Sequence, residues 1–458
     1  MMKELVQKQN DFFHSQATKN INNRLTLLRS LKKEIINREK DIIKAIFMDF
    51  GKSDFETSSS EIGVVLSELN KTINNLKKLS KPKFVLPSIL NFPSSAKIYK
   101  VPYGNVLIIS PWNYPFNLAM IPFIGAIAAG NTVVLKPSEL TLNTSKIIEE
   151  IISNVFEEQY ATVVQGAAKV AQELLEQKWD YIFFTGSVRI GKLVYKAAAA
   201  NLTPVTLELG GKSPCIVDST ADLKVAARRI VWGKFLNGGQ TCIAPDYILI
   251  EQNIKDKFIQ LLKEEINIAY GDNPQNSPDY PRIINKANFI RLADMLDYEK
   301  IVFGGVLDEK ELYISPTIID NPGLDSKLMQ GEIFGPILPV NSYVEIKEIE
   351  SIIERYPNPL SFYIFSKSRK FKKYLIDKFS FGGAVVNDTV VHFINDRLPF
   401  GGVGESGLGA YHGKYSFNTF SREKSVVTRY TRLDIPIRYL PSSNFKKKII
   451  RFLLTGRW

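Results

Sequence analysis

Apolar positions recur at helical spacing through the first 78 residues. Leu25, Leu27, Leu28, Leu31, Ile35, Ile36, Ile42, Ile43 and Ile46 form the stripe, and charged residues fill the other faces. The pattern predicts helices over 1–78. It breaks between residues 81 and 97, where Pro82, Pro87, Pro93, Ser94 and Ser95 read as a linker or an edge excursion. From 105 to 209 short apolar runs alternate with helical stretches. Strands are expected at 105–110, 132–136, 161–165, 181–185 and 205–209, with helices at 115–129, 142–156, 167–177 and 188–200 between them. Strands separated by helices imply a doubly wound parallel sheet. Such sheets bind ligands at the carboxyl ends of their strands, so the loops after Ser110, Lys136, Gln165, Thr185 and Leu209 carry the interest.

A second α/β segment starts near Gly210. A helix is expected at 223–236, a strand at 247–251, a helix at 254–269, and strand-like runs at 338–340, 360–365 and 383–387. Residues 399–413 are glycine-rich. The longest apolar window, 118–135, is interrupted by Pro122, Gly125, Gly130 and Asn131. It reads as a buried helix and a core strand rather than a membrane span. The expected fold class is therefore α/β: a doubly wound parallel-sheet domain, a second α/β domain and a small excursion.

The composition narrows the chemistry. The chain has 458 residues, enough for two or three domains with real cores. Its two cysteines, Cys215 and Cys242, cannot build a disulfide framework or a cysteine-rich metal site. The three histidines, His14, His392 and His412, are scattered, so no metal centre is expected. The net charge of +12 is spread along the chain without a nucleic-acid-binding motif, so no nucleic-acid partner is expected. Residues 1–20 are polar and lack the apolar core of a secretory signal. With so few cysteines, a cytoplasmic location follows as an expectation.

Cys242 sits in Asn237-Gly238-Gly239-Gln240-Thr241-Cys242, a glycine-rich loop between a helix and a strand. Such a loop lets backbone approach a ligand and can present a nucleophilic thiol; a lone cysteine can equally be a small buried hydrophobe. Cys215, beside a strand in Ser213-Pro214-Cys215-Ile216-Val217, keeps the latter reading. Gly186-Ser187-Val188-Arg189-Ile190-Gly191 follows a strand and opens a helix, where a pyrophosphate could meet backbone N–H groups. It is not the G-x-G-x-x-G fingerprint, and an ordinary tight turn would look the same. Glu208 falls where a ribose-binding acid is expected, yet it could also face the domain junction as a general base. Spacing leaves both open. Asn113, just past a strand end, could donate to an oxyanion. Lys136 could donate to ribose or phosphate oxygens.

Together these motifs resemble the aldehyde dehydrogenase superfamily from about Leu25 to Phe420. They are Pro111-Trp112-Asn113-Tyr114-Pro115, Lys136-Pro137-Ser138-Glu139, Phe184-Thr185-Gly186-Ser187, Leu207-Glu208-Leu209-Gly210-Gly211-Lys212, Asn237-Gly238-Gly239-Gln240-Thr241-Cys242, Glu332-Ile333-Phe334-Gly335-Pro336 and Pro399-Phe400-Gly401-Gly402. Cys242-Ile243-Ala244-Pro245-Asp246-Tyr247 and Ala410-Tyr411-His412-Gly413-Lys414 resemble the class 3 and fatty-aldehyde branch. Glu405 departs from that branch, which commonly has Asn there.

The resemblance implies oxidation of an aldehyde, medium- or long-chain aliphatic or aromatic, to the carboxylic acid. Cys242 would be the nucleophile, Asn113 and the Cys242 N–H would hold the oxyanion, and Glu208 would be the general base. Lys136 and Glu139 would hold the adenosine ribose, Gly186 and Ser187 the pyrophosphate, Glu332 the nicotinamide ribose, and Phe334 would pack on the nicotinamide. NAD is the expected cofactor, with NADP often accepted in that branch. The implied division is 1–81 with 98–209 for NAD binding, 210–398 for catalysis, and 82–97 with 399–458 for oligomerisation, bridging and tail. A homodimer is implied through 82–97 and the region after about Thr428.

Two other activities would use the same cysteine: a thioesterase or esterase, and a CoA-acylating dehydrogenase. The first would not need Lys136, Gly186 and Glu332; the second would not need Glu208. Finally, residues 445–458 are basic and amphipathic, with a terminal Trp458, and too short to span a bilayer. They are expected either to touch an anionic membrane surface or to pack or stay in solvent.

Overall fold

The computed structural model describes residues 2–88 and 91–456, the side chain of Glu299 apart. Among these residues the strands form two mainly parallel sheets, a three-stranded antiparallel sheet and a two-stranded hairpin. In spatial order the first sheet runs Gly407–Leu408, Val205–Glu208, Tyr181–Thr185, Asn105–Ile109, Thr132–Lys136 and Ala161–Val163. All pairs are parallel except Gly407–Leu408 on Val205–Glu208. The sequence reading of 161–165 shortens to Ala161–Val163; the other four strands agree within a residue.

The apolar runs are continuous because both faces of this sheet are covered. Val106, Ile108, Val133, Leu135 and Phe183 point into one core with Leu28, Leu31, Ile46 and Leu69 from the N-terminal helices. Their neighbours Leu107, Ile109, Val134, Ile182 and Phe184 point into another with Val194 and Trp179. The helix Asn117–Ala129 is buried on every side, which explains the apolar window that imitates a membrane span. Each buried Leu, Ile or Phe there contributes about 1.5–3 kcal/mol. It stops at Gly130, whose φ of 96° suits glycine. Among the described residues no helix is long and apolar enough to cross a membrane.

The second sheet runs Ile301–Phe303, Thr317–Asp320, Ile337–Tyr343, Tyr247–Glu251, Pro214–Val217, Ser361–Phe365 and Gly383–Val386. Only its first pair is antiparallel. Cys215 lies within a strand rather than beside one; four residues opened by a proline are too short for a periodic signal. Its thiol is fully buried in the core, as the packing role requires.

Residues 82–97 are more than a linker. Lys83–Val85, Ser94–Pro102 and Ser421–Arg429 form the antiparallel sheet, paired from Ser94↔Arg429 to Pro102↔Ser421. The middle strand starts inside the expected excursion and continues five residues past position 97. The tail forms the helix Asn444–Thr455, capped by the Ser443 side chain accepting from the Lys446 N–H, with no buried residue. Trp458 lies outside the described residues.

Candidate active site

The first sheet delivers several named residues at its carboxyl edge. Asn113 follows the strand Asn105–Ile109 and is buried. Its Nδ2 donates to the Gln240 carbonyl at 3.0 Å. An amide nitrogen carries two hydrogens, so one orients the group and the other is left to donate elsewhere. The Asn113 carbonyl accepts from Asn237 Nδ2 at 2.8 Å and from Lys52 Nζ at 3.3 Å.

Asn237, Gly238 and Gly239 stand at φ 55°, 60° and 73°, successive left-handed residues that turn the helix Leu223–Phe235 towards Cys242. A side chain at position 239 would put its Cβ 2.3 Å from the Gly335 carbonyl. The Gln240 amide fixes the turn by donating to the Asn237 and Arg282 carbonyls and accepting from the Ile284 N–H, each at 3.1 Å. Thr241 Oγ1 lies 2.8 Å from Tyr114 Oη. The cysteine loop and the asparagine loop are thus hydrogen-bonded to each other.

Cys242 and Glu208 line one cavity of about 580 Å³, with apolar walls that include Leu118, Trp232, Ile243, Phe393 and Phe400. Glu208 ends its strand, buried, and neither carboxyl oxygen has a hydrogen-bond partner. Burial pushes its pKa well above the carboxylate range. Burial, and then the charges of Glu332 and Glu208, push the Cys242 thiol up as well. A thiol and an unpartnered carboxyl in a mostly apolar cavity can exchange protons with an entering substrate or water.

The groups expected to meet a dinucleotide lie on neighbouring strand ends and on one segment from the second half. Lys136 ends the strand Thr132–Lys136, and its Nζ is 2.6 Å from the Glu139 carboxylate. Burial opposes ionisation of Glu139, but the Lys136 hydrogen bond and charge, with a backbone N–H, hold its pKa below the usual value. The Gly186 N–H donates to the Glu208 carbonyl at 2.9 Å, so this turn abuts the candidate base. A Cβ at 186 would lie 2.6 Å from the Phe184 ring. Ser187 caps the helix Val188–Ala199, accepting from the Ile190 N–H.

Glu332 packs against backbone: a Cβ on Gly210 would sit 2.0 Å from its Oε2. Burial, then Asp246, push its pKa up to about 8. Its segment is anchored by Asp246, which accepts from the Ile333 N–H at 2.9 Å and pairs with Lys212 at 2.5 Å. Lys212 also donates to the Leu328 and Gly331 carbonyls. Phe334 holds a left-handed φ of 51°, and its ring meets Trp112 edge-on at 5.5 Å. A bulky residue held there signals local constraint. Ribose donors and acceptors, a glycine turn opening a helix, and a carboxyl against bare backbone together suit a dinucleotide.

Glu405, the departure from the class 3 pattern, forms an exposed pair with Lys192 at 2.8 Å. Such pairs contribute about 0–1 kcal/mol. Sequence reasoning missed Lys52, Glu56 and Glu61, all buried beside Asn113 and Asn237. Glu56 lines the cavity wall, and burial pushes its carboxyl up to about 7. Charges inside a helical pattern read as a solvated face, so nothing in the sequence marks them.

The sheets, the cleft thiol and the dinucleotide-type edge define an α/β oxidoreductase site. The sequence model of the aldehyde dehydrogenase family matches residues 2–426, and the chain belongs to that family. It is 48% identical over 442 residues to a Staphylococcus aureus protein named 4,4'-diaponeurosporen-aldehyde dehydrogenase, covering 96% of each chain. It is 44% identical to aldehyde dehydrogenase family 3 member A2 of Rattus norvegicus, covering 99% of this chain and 94% of that one. The solved structure described as the substrate-bound state of Staphylococcus aureus AldH superposes with a TM-score of 0.98 at 46% identity, covering 99% of this chain and 100% of that one. These similarities place the chain in the family 3 branch. It is an enzyme that oxidises an aldehyde with NAD or NADP.

Proposed function

We propose that Cys242, Asn113 and Glu208 oxidise a medium- or long-chain aliphatic, or aromatic, aldehyde to its carboxylic acid. The observation that carries this reading is the joining of the asparagine and cysteine loops over one largely apolar cavity that also holds the unpartnered Glu208 carboxyl. The Cys242 thiol gives up its proton to solvent water as its sulfur bonds to the aldehyde carbon. The resulting thiohemiacetal oxygen accepts from the free N–H of Asn113 Nδ2 and from the Cys242 backbone N–H. Lys136, Glu139, Gly186, Ser187 and Glu332 would hold NAD or NADP, with Phe334 packing on the nicotinamide, and the bound group would supply the acceptor for the hydride that leaves the thiohemiacetal carbon. The product on the enzyme is a thioester at Cys242. Glu208, once ionised, takes a proton from water as that water attacks the thioester carbon. The carbon–sulfur bond breaks, the acid leaves, and the sulfur takes the proton that Glu208 holds, which leaves the carboxylate ionised again.

The apolar cavity supports a hydrophobic aldehyde, and so does the S. aureus relative named for diaponeurosporen-aldehyde. Glu139 supports NAD over NADP, since its carboxylate would repel a 2′-phosphate. The division into 1–81 with 98–209, 210–398, and 82–97 with 399–458 stands as part of this reading, with the last pair meeting in the antiparallel sheet. Exposed Phe84, Val426 and Val427 on that sheet support a homodimer, which light scattering at the mass of one chain would reject. A cytoplasmic location belongs to the same reading, with membrane-surface contact through the tail.

Replacing Cys242 with Ser tests the nucleophile. The variant is expected to bind NAD yet form no NADH from aldehyde. Turnover near the wild-type rate would reject the assignment.

A further inference from the structure

A lysine and a glutamate lie fully buried behind the asparagine loop, and no step above uses them. Lys52 follows the helix Glu39–Phe50, and Glu61 sits in the π-helical turn Ser58–Ile62. Both side chains have zero exposure, with Lys52 Nζ 2.7 Å from Glu61 Oε1. Each partner also reaches the loop that carries Asn113. Lys52 Nζ donates to the Asn113 carbonyl at 3.3 Å and lies 4.1 Å from the centre of the Tyr114 ring. Glu61 Oε2 accepts from the Asn117 N–H at 2.8 Å, at the start of the buried helix Asn117–Ala129. The pair therefore grips residues 113–117 at both ends.

A buried ion pair is weak evidence for stability, because desolvation offsets most of the attraction. Hydrophobic residues of similar volume would hold a core as well. They could not donate to one chosen carbonyl and accept from one chosen N–H. The same Asn113 carbonyl also accepts from Asn237 Nδ2, on the loop that leads to Cys242. Glu56, beside Lys52, takes the Asn237 backbone N–H.

We propose that the buried Lys52–Glu61 pair is a positioning device for the oxyanion amide, fixing the Asn113 peptide so that its side-chain N–H meets the substrate oxygen. This rests on the reading of Asn113 as an oxyanion donor. Lys52 and Glu61 touch neither substrate nor cofactor; they act through Asn113. A misplacement of about 1 Å at a reacting centre can cost about 100-fold in rate.

A double-mutant cycle with Asn113→Ala tests the proposal. Lys52→Met/Glu61→Gln removes the pair without leaving a lone buried charge and keeps an acceptor for the Asn117 N–H. It is expected to bind NAD with wild-type affinity, to change KM little, and to lower kcat by about 10- to 100-fold. Combined with Asn113→Ala, it is expected to slow the enzyme by less than about twofold beyond Asn113→Ala alone. Glu61→Asp, which retains both charges and withdraws the carboxylate by one methylene, is the second probe should the paired variant not fold. Its kcat is expected to fall several-fold with the same non-additivity. Wild-type kcat in either folded variant, losses that multiply with Asn113→Ala, or an equal fall in NAD affinity would overturn the proposal. The Asn113→Ala arm separates the two ideas. Wild-type turnover there defeats the oxyanion reading itself, whereas a slow Asn113→Ala with multiplying losses defeats only the role of the pair.

Discussion

At the residue scale, the site is a set of polar groups held in a largely apolar setting. Glu208 is the clearest case: two carboxyl oxygens without partners, in a cavity, with a pKa raised by burial. Cys242 and Asn113 were singled out in the sequence through family resemblance, and the cysteine turn is tightly constrained. Position 239, for instance, accepts no side chain without striking Gly335. Lys52, Glu56 and Glu61 were not legible, since only the packing reveals that these charges face inward. Glu139 carries a prediction at this scale. Its ionised carboxylate, steadied by Lys136, should make kcat/KM with NAD exceed that with NADP, and Glu139→Gln should lower the ratio. A wild-type ratio below one would contradict the ribose-binding role.

At the element scale, several strand boundaries followed the apolar runs, whereas the buried strand Ile337–Tyr343 was read only at 338–340. Thr132–Lys136, Tyr181–Thr185 and Tyr247–Glu251 fall where the pattern puts them. The elements it missed include the helices Ile346–Arg355 and Arg369–Lys378 as well as short or distantly paired strands. Pro214–Val217 has four residues, and Ser94–Pro102 gains its partner from more than three hundred residues away. The tail helix is a different matter. Phe445 and Leu454 are exposed, while Lys446, Lys447, Lys448 and Arg451 give it a basic character suited to anionic lipid. Full-length protein should co-sediment with anionic phospholipid vesicles, and a version ending at Ser443 should do so markedly less. Equal sedimentation of the two would show that the tail does not bind.

At the scale of the whole molecule, two sheets and the connections between them bring Glu208 and Cys242 to one cavity, with the Asn113 loop bonded beside it. Asn113 and Glu208 come from the edge of the first sheet; Cys242 precedes the strand Tyr247–Glu251 of the second. Glu332 reaches the same region on a segment pinned by Asp246 and Lys212. The sequence order of the motifs anticipated this convergence through family resemblance. It could not show that the asparagine and cysteine loops are bonded to each other, because those contacts span more than one hundred residues.

The reaction sequence itself predicts a covalent species. Without its base, the enzyme should still form the thioester at Cys242 but release it slowly. Peptide mass spectrometry of Glu208→Gln after mixing with aldehyde and NAD reads this directly. A thioester at Cys242 predicts an acyl mass added on the peptide containing Cys242 and none on the peptide containing Cys215. NADH formation with no adduct at Cys242, or an adduct on Cys215 instead, would contradict it.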